Sequence, residues 1–312
     1  RRRGDSGMTD YADLFVSAAD GLKLYARDYG PRAGPALPVV CLPGLARNAA
    51  DFHHLALVLS QDEDRPRRVL SLDYRGRGRS DYDRDWRNYS LTVELGDVLQ
   101  VVTAAGIGEA VVVGTSRGGL LAMALAAARP ALLRGVVLND IGPVIEANGL
   151  KRIRGYVGKL PSPRDYAEGG EVLKRLFEAQ FPTSTQDDWE ALARSTWKTV
   201  DGRLVADYDV ALAKTLEASD FEKPPPPLWF LFAGLTRVPV MVLRGANSDL
   251  LSVETLDAMA AMHPDLEALT VPDQGHVPAL RGRDMIERFK RFVARVEDAP
   301  IARRSPPRTN AA

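Results

Sequence analysis

The chain has 312 residues, with 41 Lys+Arg set against 41 Asp+Glu and a single cysteine. That length fits one large domain, or a domain with an insertion, and buries enough apolar surface to fold without covalent or metal staples. The balanced charge argues against a non-specific nucleic-acid binder, and the lone cysteine excludes an internal disulfide framework and a cysteine-based zinc site.

The start, Arg1-Arg2-Arg3-Gly4-Asp5-Ser6-Gly7-Met8, is basic but has no apolar stretch behind it, so it is not read as a secretory signal. Met8 is read as the natural start. No apolar run approaches the roughly 18 residues a membrane span requires. The expectation is therefore a soluble, cytoplasmic protein that binds neither membrane nor nucleic acid. Residues 1–8 and the basic, proline-containing 298–312 are predicted to be disordered tails.

Two short strands open the fold at 13–17 and 23–28, joined by the turn-like Ala19-Asp20-Gly21. Val/Leu-rich runs then recur at 39–42, 68–72, 110–113, 136–139, 240–243 and 266–271. Helical patterns lie between most of them, at 51–60, 92–105, 117–128, 253–262 and 284–296. Apolar β-runs alternating with helices predict an α/β fold, a mostly parallel sheet covered on both faces with the first hairpin as its antiparallel edge. Cys41, inside the third run, reads as a buried and inert thiol. The alternation breaks once. Residues 143–232 show helical periodicity and no convincing strand, and a span this long cannot be a structureless loop. It is read as a helical cap inserted between core segments 9–142 and 233–297, with Pro224-Pro225-Pro226-Pro227 as a stiff connector back to the core.

The strongest chemical signal is Val111-Val112-Val113-Gly114-Thr115-Ser116-Arg117-Gly118-Gly119, G-x-S-x-G between a strand and a helix. The chain must reverse so sharply at Ser116 that side chains two residues either side would collide. Gly114 and Gly118 answer that need, and the turn places the next backbone N–H at the positive end of a helix. A serine hydroxyl needs a base to take its proton. Of four histidines, His53 and His54 sit at a helix start, and His263 reads as a surface or capping group. His276, in Asp273-Gln274-Gly275-His276-Val277-Pro278, follows the last predicted strand and can reach the same sheet edge as Ser116. The carboxylate that orients the histidine is expected to be Asp249, after the penultimate strand. Asp140, after the strand ending at Asn139, is the alternative acid on the same edge. The oxyanion donors are expected to be the N–H groups of Arg117 and of Leu45, in the loop Leu42-Pro43-Gly44-Leu45-Ala46-Arg47.

With these loops, and with Leu72-Asp73-Tyr74-Arg75-Gly76-Arg77-Gly78-Arg79-Ser80 matching a D-x-R-G-x-G-x-S pattern, the chain resembles the α/β-hydrolase fold superfamily over about residues 11–297. The resemblance implies an eight-stranded, mostly parallel sheet and a serine hydrolase acting on a small-molecule carboxylic ester, with no cofactor and no metal. Lactone opening, C–C bond cleavage and cofactor-free haloperoxidase-like chemistry use the same triad. A ligand-binding receptor on this fold is the non-enzymatic alternative. Epoxide hydrolases and haloalkane dehalogenases want Asp where this chain has Ser116. Pro43 replaces the usual histidine of the oxyanion loop, at little cost because the donor is backbone. Arg117 is read as pairing with a nearby carboxylate. The basic clusters at 65–68, 75–79 and 151–154 are read mostly as solvated or paired surface, with Arg75 close to the site.

Overall fold

The computed structural model describes residues 10–220 and 225–299. Residues 1–8 and 300–312 of the predicted tails, and Pro224 of the proline run, lie outside these residues. Asp298, placed in the disordered tail by the sequence, is the last residue of a helix that starts at Arg283. Strands β1 (Ala12–Ser17), β2 (Lys23–Tyr29), β3 (Val39–Leu42), β4 (Val69–Asp73), β5 (Ala110–Thr115) and β6 (Leu133–Asn139) precede the insertion. A hairpin, β7 (Trp197–Val200) with β8 (Arg203–Ala206), lies within it, and β9 (Val240–Gly245) and β10 (Leu266–Val271) follow. Eight strands form one sheet in the order β1-β2-β4-β3-β5-β6-β9-β10. β2 pairs antiparallel with both β1 and β4, and every pairing from β4 to β10 is parallel.

The core-facing pattern explains why the central strands read as continuous apolar runs. β3 and β5 are buried along their whole length, and alternate residues feed opposite faces. Val40, Leu42 and Val112 join the cluster that α2 (Leu91–Ala104), α3 (Arg117–Ala128) and α9 (Val253–Met262) also feed, with α3 directly over β3 and β5. Val39, Cys41, Val111 and Val113 pack on α1 (His53–Ser60) and α10 (Arg283–Asp298). α10 contributes Ile286, Phe289, Phe292, Val293 and Val296, a single helical stripe. The Cys41 thiol is fully enclosed, and burial pushes its pKa well up, so it is inert as a nucleophile. No helix among the described residues is long and apolar enough to cross a membrane.

Residues 143–232 carry α4 (Ala147–Tyr156), α5 (Tyr166–Phe177), α6 (Gln186–Thr196), α7 (Ala213–Glu217) and most of α8 (Trp229–Ala233), whose last residue passes the expected boundary. The antiparallel β7–β8 hairpin corrects the reading that this segment has no strand. Its strands have four residues each, too short for a period-2 pattern to stand out. Leu173, Trp189, Ala193, Trp197 and Leu204 form a separate small core inside the segment. The Leu228 N–H donates to the Pro143 carbonyl at 2.7 Å, so the two ends of the segment meet where it leaves and rejoins the sheet.

Asp73, at the end of β4, explains part of the D-x-R-G-x-G-x-S pattern. Its carboxylate accepts the Ala49 N–H at 2.7 Å and the Arg79 N–H at 2.8 Å, which ties the loops after β3 and β4 together. Burial outweighs those hydrogen bonds and raises its pKa from 3.8 to about 6. The folded protein then holds this proton up to about pH 6, whereas the unfolded chain releases it near 3.8. Between those values the native state binds more protons, so raising the pH favours unfolding, by on the order of 3 kcal/mol across the window. Urea midpoints measured from pH 4 to 7 are expected to fall more steeply for the wild type than for Asp73→Asn. Parallel slopes would remove Asp73 as the source.

Candidate active site

Ser116 sits between β5 and α3 with φ 50 and ψ −111, a strained conformation for a residue with a side chain. The glycines around it permit the turn. A Cβ on Gly114 would run into the backbone of Gly118, and one on Gly118 would run into the Leu42 carbonyl. The Ser116 N–H donates to the Asn139 carbonyl at 3.0 Å, anchoring the turn to the end of β6.

The His276 loop follows β10 and is brought to the same edge. Asn139 Nδ2 donates to the Pro278 carbonyl at 3.0 Å, and the His276 N–H donates to Gln180 Oε1 at 3.3 Å. His276 Nε2 then lies 2.9 Å from Ser116 Oγ, and Nδ1 lies 2.8 Å from Asp140 Oδ2. A carboxylate only accepts, so Nδ1 carries the proton in this pair. Nε2 is left with its lone pair toward the serine hydroxyl, the tautomer a general base requires.

The acid beside the histidine is therefore Asp140, and the expectation for Asp249 is corrected. Asp140 has a positive φ of 55 at the end of β6, and its side chain is fully buried. Its Oδ1 accepts the Gly245 N–H at 2.8 Å, and its Oδ2 accepts the Ser248 hydroxyl at 2.6 Å as well as the histidine. The β9 loop thus braces Asp140 from Gly245 and Ser248 and turns Asp249 away to the inserted segment. Arg152 of α4 grips Asp249 with two parallel hydrogen bonds, Nε to Oδ2 at 2.6 Å and Nη2 to Oδ1 at 2.9 Å. Burial works to raise the Asp249 carboxyl, but the Arg152 guanidinium outweighs it and holds the pKa below the usual range. Sequence order could not separate the two, because both acids follow adjacent parallel strands and emerge at one edge.

The loop after β3 lies against Ser116. A Cβ built on Gly44 would sit 3.2 Å from Arg47 Cγ and 4.0 Å from the Ser116 Cβ, so the loop runs within van der Waals reach of Ser116. Tyr74 donates its hydroxyl to the Pro43 carbonyl at 3.0 Å, and Arg77 Nε donates to the Leu45 carbonyl at 2.7 Å. Arg117, the first residue of α3, contributes a first-turn amide, which has no acceptor within the helix. Its side chain pairs with Glu94 at 2.8 Å, as the sequence reading has it.

Two other expectations change. His263, expected as a surface or capping group, does cap the end of α9, donating its N–H to the Met259 carbonyl. It is not on the surface, however: it is 5% exposed, with Nε2 3.0 Å from the Leu235 carbonyl and Nδ1 accepting the Asp265 N–H at 3.1 Å. A loop histidine with both ring nitrogens engaged can be buried at little cost. Arg75 and Arg77 are likewise interior, at 2% and 0% exposure. Glu94, Gln180 and Ser248 escaped the sequence reading. Of these only Glu94 left a signal. The buried positions of α2 are Glu94, Asp97, Val98, Val101 and Val102, so two acids occupy its core-facing stripe and demand buried partners.

Comparison with known proteins identifies the family. The family model described as "Alpha/beta hydrolase family" matches residues 39–288. The 3-hydroxybutyrate-oligomer hydrolase of Cupriavidus necator is 31% identical over 271 residues, covering 84% of this chain and 90% of that protein. The 2-(acetamidomethylene)succinate hydrolase of Mesorhizobium japonicum is 27% identical over 234 residues, covering 75% of this chain and 79% of that one. The crystal structure of an alpha/beta hydrolase from Novosphingobium aromaticivorans superposes with a TM-score of 0.86 at 38% identity, covering 93% of this chain and 100% of that chain. By matched length, by identity and by fold, the chain belongs to the alpha/beta hydrolase family.

Proposed function

We propose that this protein is a serine hydrolase that cleaves a small-molecule carboxylic ester through an acyl-enzyme on Ser116. The observation that carries this reading is the continuous hydrogen-bond chain Ser116 Oγ–His276–Asp140 on a strained strand-to-helix turn. Ser116 Oγ attacks the ester carbonyl carbon while His276 Nε2 takes the hydroxyl proton, and Asp140 stabilises the imidazolium. The carbonyl π electrons move onto oxygen, which receives hydrogen bonds from the Leu45 and Arg117 N–H groups. Collapse of the tetrahedral adduct expels the alkoxide, which recovers its proton from His276. Water, deprotonated by the same imidazole, then attacks the acyl-enzyme, the bond to Ser116 Oγ breaks as His276 returns the proton to that oxygen, and the carboxylic acid is released. Residues 143–232 act as the cap that covers the acyl and alcohol groups.

Oligomers of a hydroxy acid are the first substrates to try, because the relative from Cupriavidus necator is named for 3-hydroxybutyrate oligomers. Such an oligomer is a linear ester, which suits the acyl-enzyme chemistry without further groups. The test is labelling with a fluorophosphonate probe alongside turnover of short-chain p-nitrophenyl esters and 3-hydroxybutyrate dimers. The wild type should label stoichiometrically and turn over at least one ester class, and Ser116→Ala should do neither. Undiminished turnover by Ser116→Ala, or a wild type inert to the probe, ends the proposal.

A further inference from the structure

The two residues assigned to the oxyanion hole lie on different elements, Leu45 after β3 and Arg117 at the start of α3. Two amides must point at one oxygen within a few tenths of an ångström, so something must hold these elements in register. Glu94 and Arg77 lie between them. The Glu94 side chain is fully buried in the first turn of α2 and bridges two guanidiniums. Its Oε2 accepts from Arg117 Nε at 2.8 Å, and its Oε1 lies 2.7 Å from Arg77 Nη1. Arg77, also fully buried, continues the link. Its Nε donates to the carbonyl of Leu45 itself at 2.7 Å, and its Nη1 donates to the Arg75 carbonyl at 2.7 Å. The rings of Tyr74 and Tyr89 lie beside it, with centroids 5.5 and 5.4 Å from the guanidinium carbon. A path of two hydrogen bonds joined by one ion pair therefore runs from the Leu45 carbonyl through Arg77 and Glu94 to Arg117. The Arg77–Glu94 step is a charge contact without hydrogen-bond geometry.

The same loop touches the inserted segment. Arg77 forms a β-bridge with Tyr208, the Gly78 N–H donates to the Asp207 carbonyl at 3.0 Å, and the Asp209 N–H donates to the Gly76 carbonyl at 2.7 Å. Burial alone would raise the Glu94 carboxyl, but the two guanidiniums hold its pKa below the usual range, so the bridge is ionic at neutral pH. A fully buried carboxylate with two arginines is weak as a source of net stability, because desolvation cancels much of the attraction. Its strength is geometric: it defines a separation.

We propose that Glu94 and Arg77 are positioning residues that set the spacing of the Leu45 and Arg117 amides, and so act on the transition state of the reaction rather than on substrate binding. This rests on the assignment of Ser116 as nucleophile and of those two amides as oxyanion donors. Charge and geometry predict opposite signs when Glu94 is neutralised. Removing a negative charge near a developing oxyanion would by itself speed the reaction, whereas loss of the brace slows it.

The experiment compares wild type, Glu94→Gln and Arg117→Met with one ester the wild type turns over, together with a trifluoromethyl ketone that forms a tetrahedral adduct on Ser116. For Glu94→Gln, kcat should fall by ~10–100-fold, with KM changed by less than about threefold and ketone affinity lost in parallel with kcat/KM. Arg117→Met keeps the backbone N–H and leaves the Glu94–Arg77 pair intact, so it reports even if Glu94→Gln does not fold. It should show the same pattern at ~10-fold or more. An unchanged or raised kcat in folded Glu94→Gln, or unchanged ketone affinity in Arg117→Met, overturns the proposal while leaving the serine hydrolase reading intact. A wild type that neither labels nor turns over ester overturns that reading instead.

Discussion

Asp140→Asn is expected to lower kcat by about 10⁴-fold, while Asp249→Asn stays within about tenfold of wild type. The difference follows from what each carboxylate faces. Asp140 accepts the His276 Nδ1 proton, and its other contacts, from Gly245 N–H and the Ser248 hydroxyl, are donors as well. An asparagine there can keep one of these acceptor roles but must turn its NH₂ toward something. Facing His276, it donates to Nδ1 and forces the proton onto Nε2, which then cannot accept from Ser116. Asp249 stands outside this chain, neutralising Arg152. Its replacement loosens a contact between the β9 loop and α4 of the inserted segment, so the effect should fall mainly on KM. Steady-state kinetics on one ester decides the matter. A crippled Asp249→Asn beside a nearly active Asp140→Asn would return the role to Asp249.

The largest effect on stability is expected at Arg75. Its guanidinium is 2% exposed and holds Asp97 through Nε at 2.6 Å and Nη2 at 2.7 Å, while Nη1 reaches Asp20 and Asp83, both at 2.7 Å. These acids lie in the β1–β2 turn, in the segment before α2 and on α2 itself, so one side chain ties three parts of the chain together. Arg75→Met would leave the buried Asp97 and Asp83 without their cation, a loss on the order of 3–5 kcal/mol. In a protein of this size that corresponds to a fall in Tm of about 10 °C. Removing the exposed Arg87–Asp85 pair by Arg87→Met should leave the Tm unchanged, which makes it the control. Equal midpoints for the two variants would show that the Arg75 cluster contributes nothing.

The sheet and the sharp turn at Ser116 were legible because each rests on local physics. Continuous Val/Leu runs such as 110–113 mark strands buried on both faces. Gly114 and Gly118 mark a turn at Ser116 that tolerates no side chain on either flank. The arginines were misjudged for the opposite reason. A charged residue reads as surface until its partner is known, and the acids that bind Arg75 lie up to 55 residues away in the chain. The β7–β8 hairpin escaped for want of length.

Local sequence determined where strands and helices form, that Ser116 occupies a sharp turn and that His276 follows the last strand. It narrowed the acid to two aspartates at one sheet edge and could go no further. Choosing between them depends on the direction each loop takes after its strand. The Asp140 backbone adopts a positive φ and drives its carboxylate into His276, while the β9 loop carries Asp249 to Arg152. Contacts between elements far apart in sequence set those directions, and so does the bridge from Leu45 through Arg77 and Glu94 to Arg117. Hydrophobic periodicity registers which face of an element is buried. It carries no record of which buried charges will meet, because that is settled only when the packed elements bring them within hydrogen-bond distance.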